Sequence, residues 1–188
     1  MWSVKASRYV VKDRWICVRA DDCVTASGVE VKPYYSLEYP DFVHVLAVTA
    51  EREIVLVRQY RHGYGDMVVE LPGGMVDRSD GDVAAAGLRE LREETGFVAT
   101  QATLVGPLSV DPAKFRNRLH LVLAAGATDG GVRDLDHGEE IEVLRLGVDE
   151  CLALVRAGGF VNAAHIGMLM LGLDRLGLLG TGPAAPPR

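Results

Sequence analysis

The segment Arg89-Glu90-Leu91-Arg92-Glu93-Glu94-Thr95-Gly96-Phe97 holds the residues best suited to chemistry. On an α-helix, residues three and four apart share a face, so Glu90, Glu93 and Glu94 project along one stripe. Arg89 lies four residues before Glu93, within reach of an ion pair. Carboxylates held close together repel, which raises their pKa values and weakens the helix. They also fall at the helix C-terminus, where the macrodipole disfavours negative charge. Two costs at one place point to a compensating cation. A hard divalent ion with oxygen ligands supplies it, and Mg²⁺ is the usual choice beside phosphate oxygens. The competing reading is a solvated acidic helix face, which is common for an isolated Glu-x-x-Glu-Glu.

These side chains need a helix to align them, and the local sequence provides one. Asp82 is a good N-cap, and Val83 to Thr95 contains only helix-tolerant residues apart from Gly87. Gly96 stands where a glycine ends a helix. Upstream, Arg8 to Val11, Trp15 to Arg19 and Val29 to Val31 read as strands, with a turn at Ala26-Ser27-Gly28. Phe42 to Val48, Glu53 to Arg58 and Val68 to Leu71 are further strands, the last closed by Pro72-Gly73-Gly74. Thr103 to Val110, Arg118 to Ala125 and Ile141 to Leu146 are strand-like. Asp149 to Ala157 and Ala163 to Leu176 carry apolar helical faces. Strands, a helix, more strands and two helices make an α/β chain of the α+β kind, without the regular βαβ alternation of a doubly wound sheet.

The chain has 188 residues, enough for one domain with a sizeable core and a small appendage. Its formal charge of −6 argues against a nucleic-acid partner or a polybasic membrane surface. No apolar run reaches the roughly 18 residues that span a bilayer, and the N-terminus lacks the apolar stretch of a secretory signal. Cys17, Cys23 and Cys151 form no CxxC pair, so three reduced thiols in a cytoplasmic protein are expected. Gly63-Tyr64-Gly65 does not extend to G-x-G-x-x-G, and no G-x-x-x-x-G-K-[ST] occurs. Phosphate binding, if present, must rest on metal and arginine.

With its flanks, the acidic segment resembles the signature of the Nudix hydrolases, G-x5-E-x7-R-E-U-x-E-E-x-G-U, where U is a bulky aliphatic or aromatic residue. Gly74 fits the opening glycine, and Arg89 through Phe97 fit the whole second half. One departure stands out: Gly74 to Arg89 is one residue longer than the pattern, and Gly81 falls where the first Glu would stand. Asp80 and Asp82 are the two candidates to replace it. Val57-Arg58-Gln59-Tyr60-Arg61, Glu70-Leu71-Pro72-Gly73-Gly74 and Glu139-Glu140-Ile141-Glu142-Val143 resemble the branch that hydrolyses ADP-ribose and nucleoside-diphosphate sugars.

The resemblance implies a Nudix fold, a mixed β-sheet sandwiched between helices, with an N-terminal antiparallel strand extension. It divides the chain into a dimer-forming β-rich extension (1–40), a hydrolase domain (41–179) and a disordered tail (180–188). It implies Mg²⁺-dependent hydrolysis of a nucleoside diphosphate linked to a moiety X, with Mn²⁺ a possible substitute. Metal ligands would be Glu90, Glu94 and the Gly73 carbonyl, with Glu93 either joining them or bracing them through Arg89. The general base is expected from a late loop, with Glu139 the first candidate, Glu140 the second and Glu93 a further one. Arg61 is the expected phosphate clamp, Tyr34 and Tyr39 the base-stacking aromatics, and Arg118 a contact to the distal sugar. Tyr residues stand where ADP-ribose enzymes tend to carry Trp and Arg, which favours a broader nucleoside-diphosphate-sugar reading. Partners would be a small nucleotide and a second copy of the chain. The alternatives are NADH or dinucleoside polyphosphates as substrates, or a catalytically silent ligand sensor.

Overall fold

The computed structural model describes Met1 to Leu179. The expected tail, 180–188, lies outside the described residues. By its internal contacts the chain divides into two units: Met1–Phe42 with Pro107–Leu119, and Val43–Gly106 with the chain from His120 onward.

In the first unit, β1 (Ser3–Lys12), β2 (Cys17–Val24) and β3 (Glu30–Leu37) form an antiparallel sheet in that order. All three strands are longer than the sequence pattern suggested. The turn expected at Ala26-Ser27-Gly28 is present, with Thr25 N–H donating to the Val29 carbonyl and Gly28 at φ 86°. Polar side chains bind the sheet together: Ser7 Oγ donates to Asp21 (2.6 Å), and Arg19 pairs with both Asp21 and Glu38 (2.8 Å each). The segment from Pro107 joins the end of β3 through a parallel bridge between Leu37 and Phe115.

The larger sheet has the order β11-β5-β4-β10-β8, built from β4 (Phe42–Thr49), β5 (Glu53–Arg61), β8 (Phe97–Val98), β10 (Leu119–Asp129) and β11 (Glu142–Gly147). Three more strands attach to it: β6 (Asp66–Glu70) pairs with β5, β7 (Gly73–Met75) with β4, and β9 (Thr103–Leu108) with β10. Its helices are α1 (Val83–Thr95), α2 (Val148–Arg156) and α3 (Ala163–Arg175). The helix expected over 83–95 is α1, residue for residue. The short β7 and β8 carry too few residues for a period to register, and the sequence reading missed both.

Alternation along β4 explains the layering. Val43 and Val45 point to one face, where a Cβ on Gly87 of α1 would come within 3.1 to 3.2 Å of their methyls and that of Val122. Leu46 points to the other face, where a Cβ on Gly172 of α3 would lie 2.4 Å from its Cδ2. Gly87, the one weak helix former in α1, therefore lets that helix sit close on the sheet. The first layer contains Val43, Val45, Ala47, Val55, Ala86, Leu91, Phe97 and Val122, all buried. Leu46, Met168, Leu169 and Leu173 are likewise buried. The mixed sheet between helices is the expected fold.

Candidate active site

Both ends of α1 are set by local chemistry. Asp82 caps it by accepting the Ala85 N–H (2.8 Å), and Gly96 closes it in the left-handed region at φ 77°. Asp80 has a separate task. Its two carboxylate oxygens grip Arg89 Nε (2.7 Å) and Nη2 (3.0 Å), while Asp77 N–H donates to Oδ2 (2.7 Å). Asp80 thus serves the Arg89 end of the site and Asp82 the helix cap, a division the sequence left open. Arg89 also reaches Glu90 and Glu93 (2.8 Å each) and the Met75 carbonyl (3.1 Å). Its pKa is raised, with the Asp80 pairing the largest cause, so it is held firmly cationic.

The three glutamates do not share one environment. Glu94 is 5% exposed, and its Oε2 accepts the Gly73 N–H (2.8 Å). Glu90 lies so close under Gly74 that a Cβ there would come within 2.6 to 2.7 Å of its carboxylate. Gly74 therefore lets the chain pass over the Glu90 carboxylate, and Gly73 lets it run close against β4. Glu93 is held by two arginines: Oε2 meets Arg89 Nη1 (2.8 Å), the nitrogen that also bonds Glu90, and Oε1 meets Arg92 (3.3 Å).

The electrostatic cost anticipated from the sequence is present, with burial as its main source. Burial pushes Glu94 up to about 8, opposed by the Gly73 N–H and reinforced by the charges of Glu90 and Glu139. Glu90 is raised by burial too, opposed by Arg89 and reinforced by Glu93 and Glu139. Two half-buried to buried carboxylates under strain of this kind suit a hard divalent cation. Among the described residues, no set of three or more His, Cys, Asp or Glu side chains is already drawn into metal-holding geometry. The carboxylates that meet the Gly73–Gly74 backbone are Glu90 and Glu94.

The loop between β10 and β11 docks on the C-terminal end of α1. Gly130 N–H donates to the Gly96 carbonyl (2.9 Å) and Asp134 N–H to the Glu93 carbonyl (3.0 Å), satisfying helix-end acceptors. Arg133 spans the loop to the Ile141 carbonyl (2.9 Å). Glu139 closes a turn with Asp136, accepting its N–H at Oε2 (3.0 Å). Its charge acts on both Glu90 and Glu94. Glu140 is exposed. The loop that carries Glu139 and Glu140 thus packs on the C-terminal end of α1 through Gly130 and Asp134.

Arg61 is committed in part. Its Nε and Nη2 both bond Glu70 Oε2 at 2.7 Å, and Glu70 is 3% exposed. Nη1 takes no part in that pair, and the Arg61 charge still acts on Glu94. Glu70 Oε1 accepts from Asn162 Nδ2 (2.8 Å), and Asn162 in turn caps α3. His165 Nδ1 accepts the Leu71 N–H (3.0 Å), and its ring lies edge-on to His44 at 4.2 Å. Burial first, and the Arg61 charge next, push His165 down to about 4. Burial pushes His44 down to about 3, with His165 the next cause. The sequence reading assigned no role to Glu70, Asn162, His44 or His165 at the site. The available signal was a lone acid in the apolar run Val68-Val69-Glu70-Leu71.

Tyr34, Tyr39 and Arg118 belong to the first unit. There Tyr34 donates to the Ala113 carbonyl and meets Trp2 edge-on at 5.7 Å. Tyr39 stacks on Phe115 at 6.0 Å. Arg118 is exposed, and its backbone N–H donates to Asp41 (2.8 Å). The aromatics expected to stack a base make ordinary packing contacts within that unit.

A family model described as the NUDIX domain matches residues 39–159. The chain belongs to the Nudix family. A second model, the nucleoside diphosphate sugar hydrolase N-terminal domain, matches residues 2–37 of this Nudix protein. It is 33% identical over 122 residues to an ADP-ribose pyrophosphatase of Bacillus subtilis, covering 64% of this chain and 65% of that one. It is 29% identical over 148 residues to a methanol dehydrogenase activator of Bacillus methanolicus, covering 78% and 79%. A solved structure described as an ADP compounds hydrolase superposes with a TM-score of 0.81 at 23% identity, over 95% of this chain and 97% of that one, which shows the shared fold. No helix among the described residues is long and apolar enough to cross a membrane.

Proposed function

We propose that this Nudix protein hydrolyses the pyrophosphate bond of a nucleoside diphosphate linked to X, with X a sugar or the distal ribose of ADP-ribose. The products are a nucleoside monophosphate and X-phosphate. The observation that carries the reading is the convergence of Glu90 and Glu94 on the Gly73–Gly74 strand of a Nudix chain. The N-terminal match to a nucleoside diphosphate sugar hydrolase domain supports the substrate class, as do relatives named ADP-ribose pyrophosphatase and ADP-sugar pyrophosphatase.

Glu90, Glu94 and the Gly73 carbonyl would hold a divalent cation, Mg²⁺ in our reading, with Mn²⁺ able to replace it. When bound, such an ion draws charge from phosphate oxygens and stabilises the charge that develops in the displacement. Arg89 and Asp80 keep Glu93 and Glu90 in place. Arg61, anchored by Glu70, presents Nη1 to a phosphate oxygen. Glu139 accepts the proton of the attacking water as the new P–O bond forms, and the bridging oxygen departs with X-phosphate or with the nucleotide.

A base of this kind contributes about 10² to 10⁴ in rate. Glu139→Gln should therefore lower kcat by about 10²-fold or more at unchanged KM, and Glu140→Gln should stay within about threefold of wild type. Steady-state kinetics on both variants decides, and equal effects would remove Glu139 from the role.

The function itself is tested with ADP-ribose, several nucleoside-diphosphate sugars, NADH and dinucleoside polyphosphates, each with Mg²⁺ or Mn²⁺. Phosphate release after added phosphatase reports cleavage. Turnover of NADH or a polyphosphate with inert sugars would overturn the substrate class, and no turnover at all would favour a ligand sensor.

We further read the protein as a cytoplasmic homodimer that binds no nucleic acid. Its three cysteines are free and its charge is −6. Every residue of β1 is exposed, Val4, Tyr9, Val10 and Val11 among them, as is Trp15 just beyond it. An exposed strand with that much apolar surface calls for a cover, and a second copy provides one. Light scattering at micromolar concentration should give a mass near twice 20.3 kDa, and a monomer would sink the assignment.

A further inference from the structure

The segment from β6 into β7 carries the backbone that meets Glu94, and its backbone donors are held by helix side chains. The Leu71 N–H is taken by His165 on α3, Pro72 has no N–H, and the Gly73 N–H is taken by Glu94 on α1. The Pro72 carbonyl accepts from Val45 (2.8 Å). Two helix side chains on opposite faces of the sheet therefore hold the donors of Leu71 and Gly73. An unsatisfied N–H here would carry the full cost of a buried donor, so the linker conformation depends on both acceptors.

His165 is built for this task. It is 4% exposed, sits in the first turn of α3, and its own N–H is fixed by the Asn162 cap (3.4 Å). Accepting the Leu71 N–H requires a lone pair on Nδ1, which leaves the proton on Nε2, 3.9 Å from the Glu70 carboxylate. Asn162 holds that same carboxylate from the α3 cap (2.8 Å) and Arg61 holds it from β5 (2.7 Å). The His44 ring fills the space beside Gly73, where a Cβ would lie 2.8 Å from its Nδ1, and packs edge-on against His165. The first turn of α3 thus grips the chain at Glu70 and Leu71, while His44 of β4, packed against His165, backs it at Gly73.

We propose that His165 is a positioning residue for the cation-holding cluster: through its Nδ1 acceptor it fixes Leu71–Gly73, and so sets the Gly73 backbone against Glu94. This rests on the reading of Glu90, Glu94 and Gly73 as the cation site. Such supporting partners typically change metal affinity by about 10- to 100-fold when removed.

The test compares His165→Leu, which removes the acceptor, with His165→Asn, which places an oxygen near Nδ1, and His165→Gln, whose oxygen extends toward Nε2. Mn²⁺ binding is measured without substrate, by the paramagnetic resonance signal of the free ion. Amide hydrogen exchange is followed in a peptide spanning 68–76, and kcat and KM are measured on whichever substrate the wild type cleaves. We expect His165→Leu to raise the Mn²⁺ dissociation constant tenfold or more, to speed exchange at Leu71 and Gly73, and to lower kcat more than it changes KM. His165→Asn should return each readout to within about threefold of wild type, and His165→Gln should resemble His165→Leu.

Wild-type Mn²⁺ affinity and exchange in His165→Leu would overturn the proposal. So would His165→Asn and His165→Gln behaving alike, a comparison that decides the matter even where the Leu variant does not fold. A wild type that binds Mn²⁺ but cleaves nothing would defeat the hydrolase reading while leaving this proposal to binding and exchange.

Discussion

Glu94→Gln should lower kcat by about 10³-fold or more, with the fold intact. The carboxylate is 5% exposed and accepts the Gly73 N–H, and burial pushes it up to about 8. Its ionised form is therefore costly in the metal-free protein, and the fold does not need its charge. A Gln side chain of the same shape still accepts the Gly73 N–H through its oxygen, so stability should hold or rise. What is lost is an anionic oxygen donor. If that donor supports about 4 kcal/mol of transition-state stabilisation through the bound cation, the rate falls about 10³-fold. Kinetics at saturating Mg²⁺ beside a thermal melt separate the two effects. An unchanged kcat would remove this site from the mechanism, and a collapsed melting temperature would show that the charge is structural.

Gly73→Ala should damage both stability and turnover. A Cβ at Gly73 would lie 2.1 Å from the Val43 carbonyl oxygen and 2.7 Å from His44 Cα. Both are backbone atoms of β4 and cannot swing aside as a side-chain end would. The residue also sits at φ 155°, where a side chain adds strain. Overpacking of this kind costs about 1 to 3 kcal/mol and backbone strain adds about as much. A total near 3 kcal/mol corresponds to a fall of roughly 10 °C in Tm for a chain of this size. Moving β7 from β4 also shifts the backbone that meets Glu94, and a misplacement of about 1 Å costs about 10²-fold in rate. Gly63→Ala is the control, since nothing lies within 4 Å of a Cβ there. Calorimetry and kinetics on both variants check the expectation, and a Gly73→Ala protein matching the control would refute the close approach.

The sequence by itself determined α1 and the chemistry it carries. Asp82, Gly96 and the Arg89–Phe97 spacing act within a few residues of one another, so local rules sufficed to place cap, helix and acidic stripe. It also determined the apolar strands β4, β5 and β10, whose periods are long enough to register. Tertiary structure alone decided how the acids divide. Glu90, Glu93 and Glu94 lie on one stripe in sequence, but Glu94 is buried against the Gly73 N–H, Glu90 is half-buried under Gly74, and Arg89 and Arg92 claim Glu93. The same holds for the pairing of Asp80 with Arg89, for the pairing that commits Arg61 to Glu70, and for His165, which reaches Leu71 across 94 positions of chain. Capping and periodicity are written in neighbouring residues. The solvation of a carboxylate and the partner of a buried N–H depend on which distant segment packs against it.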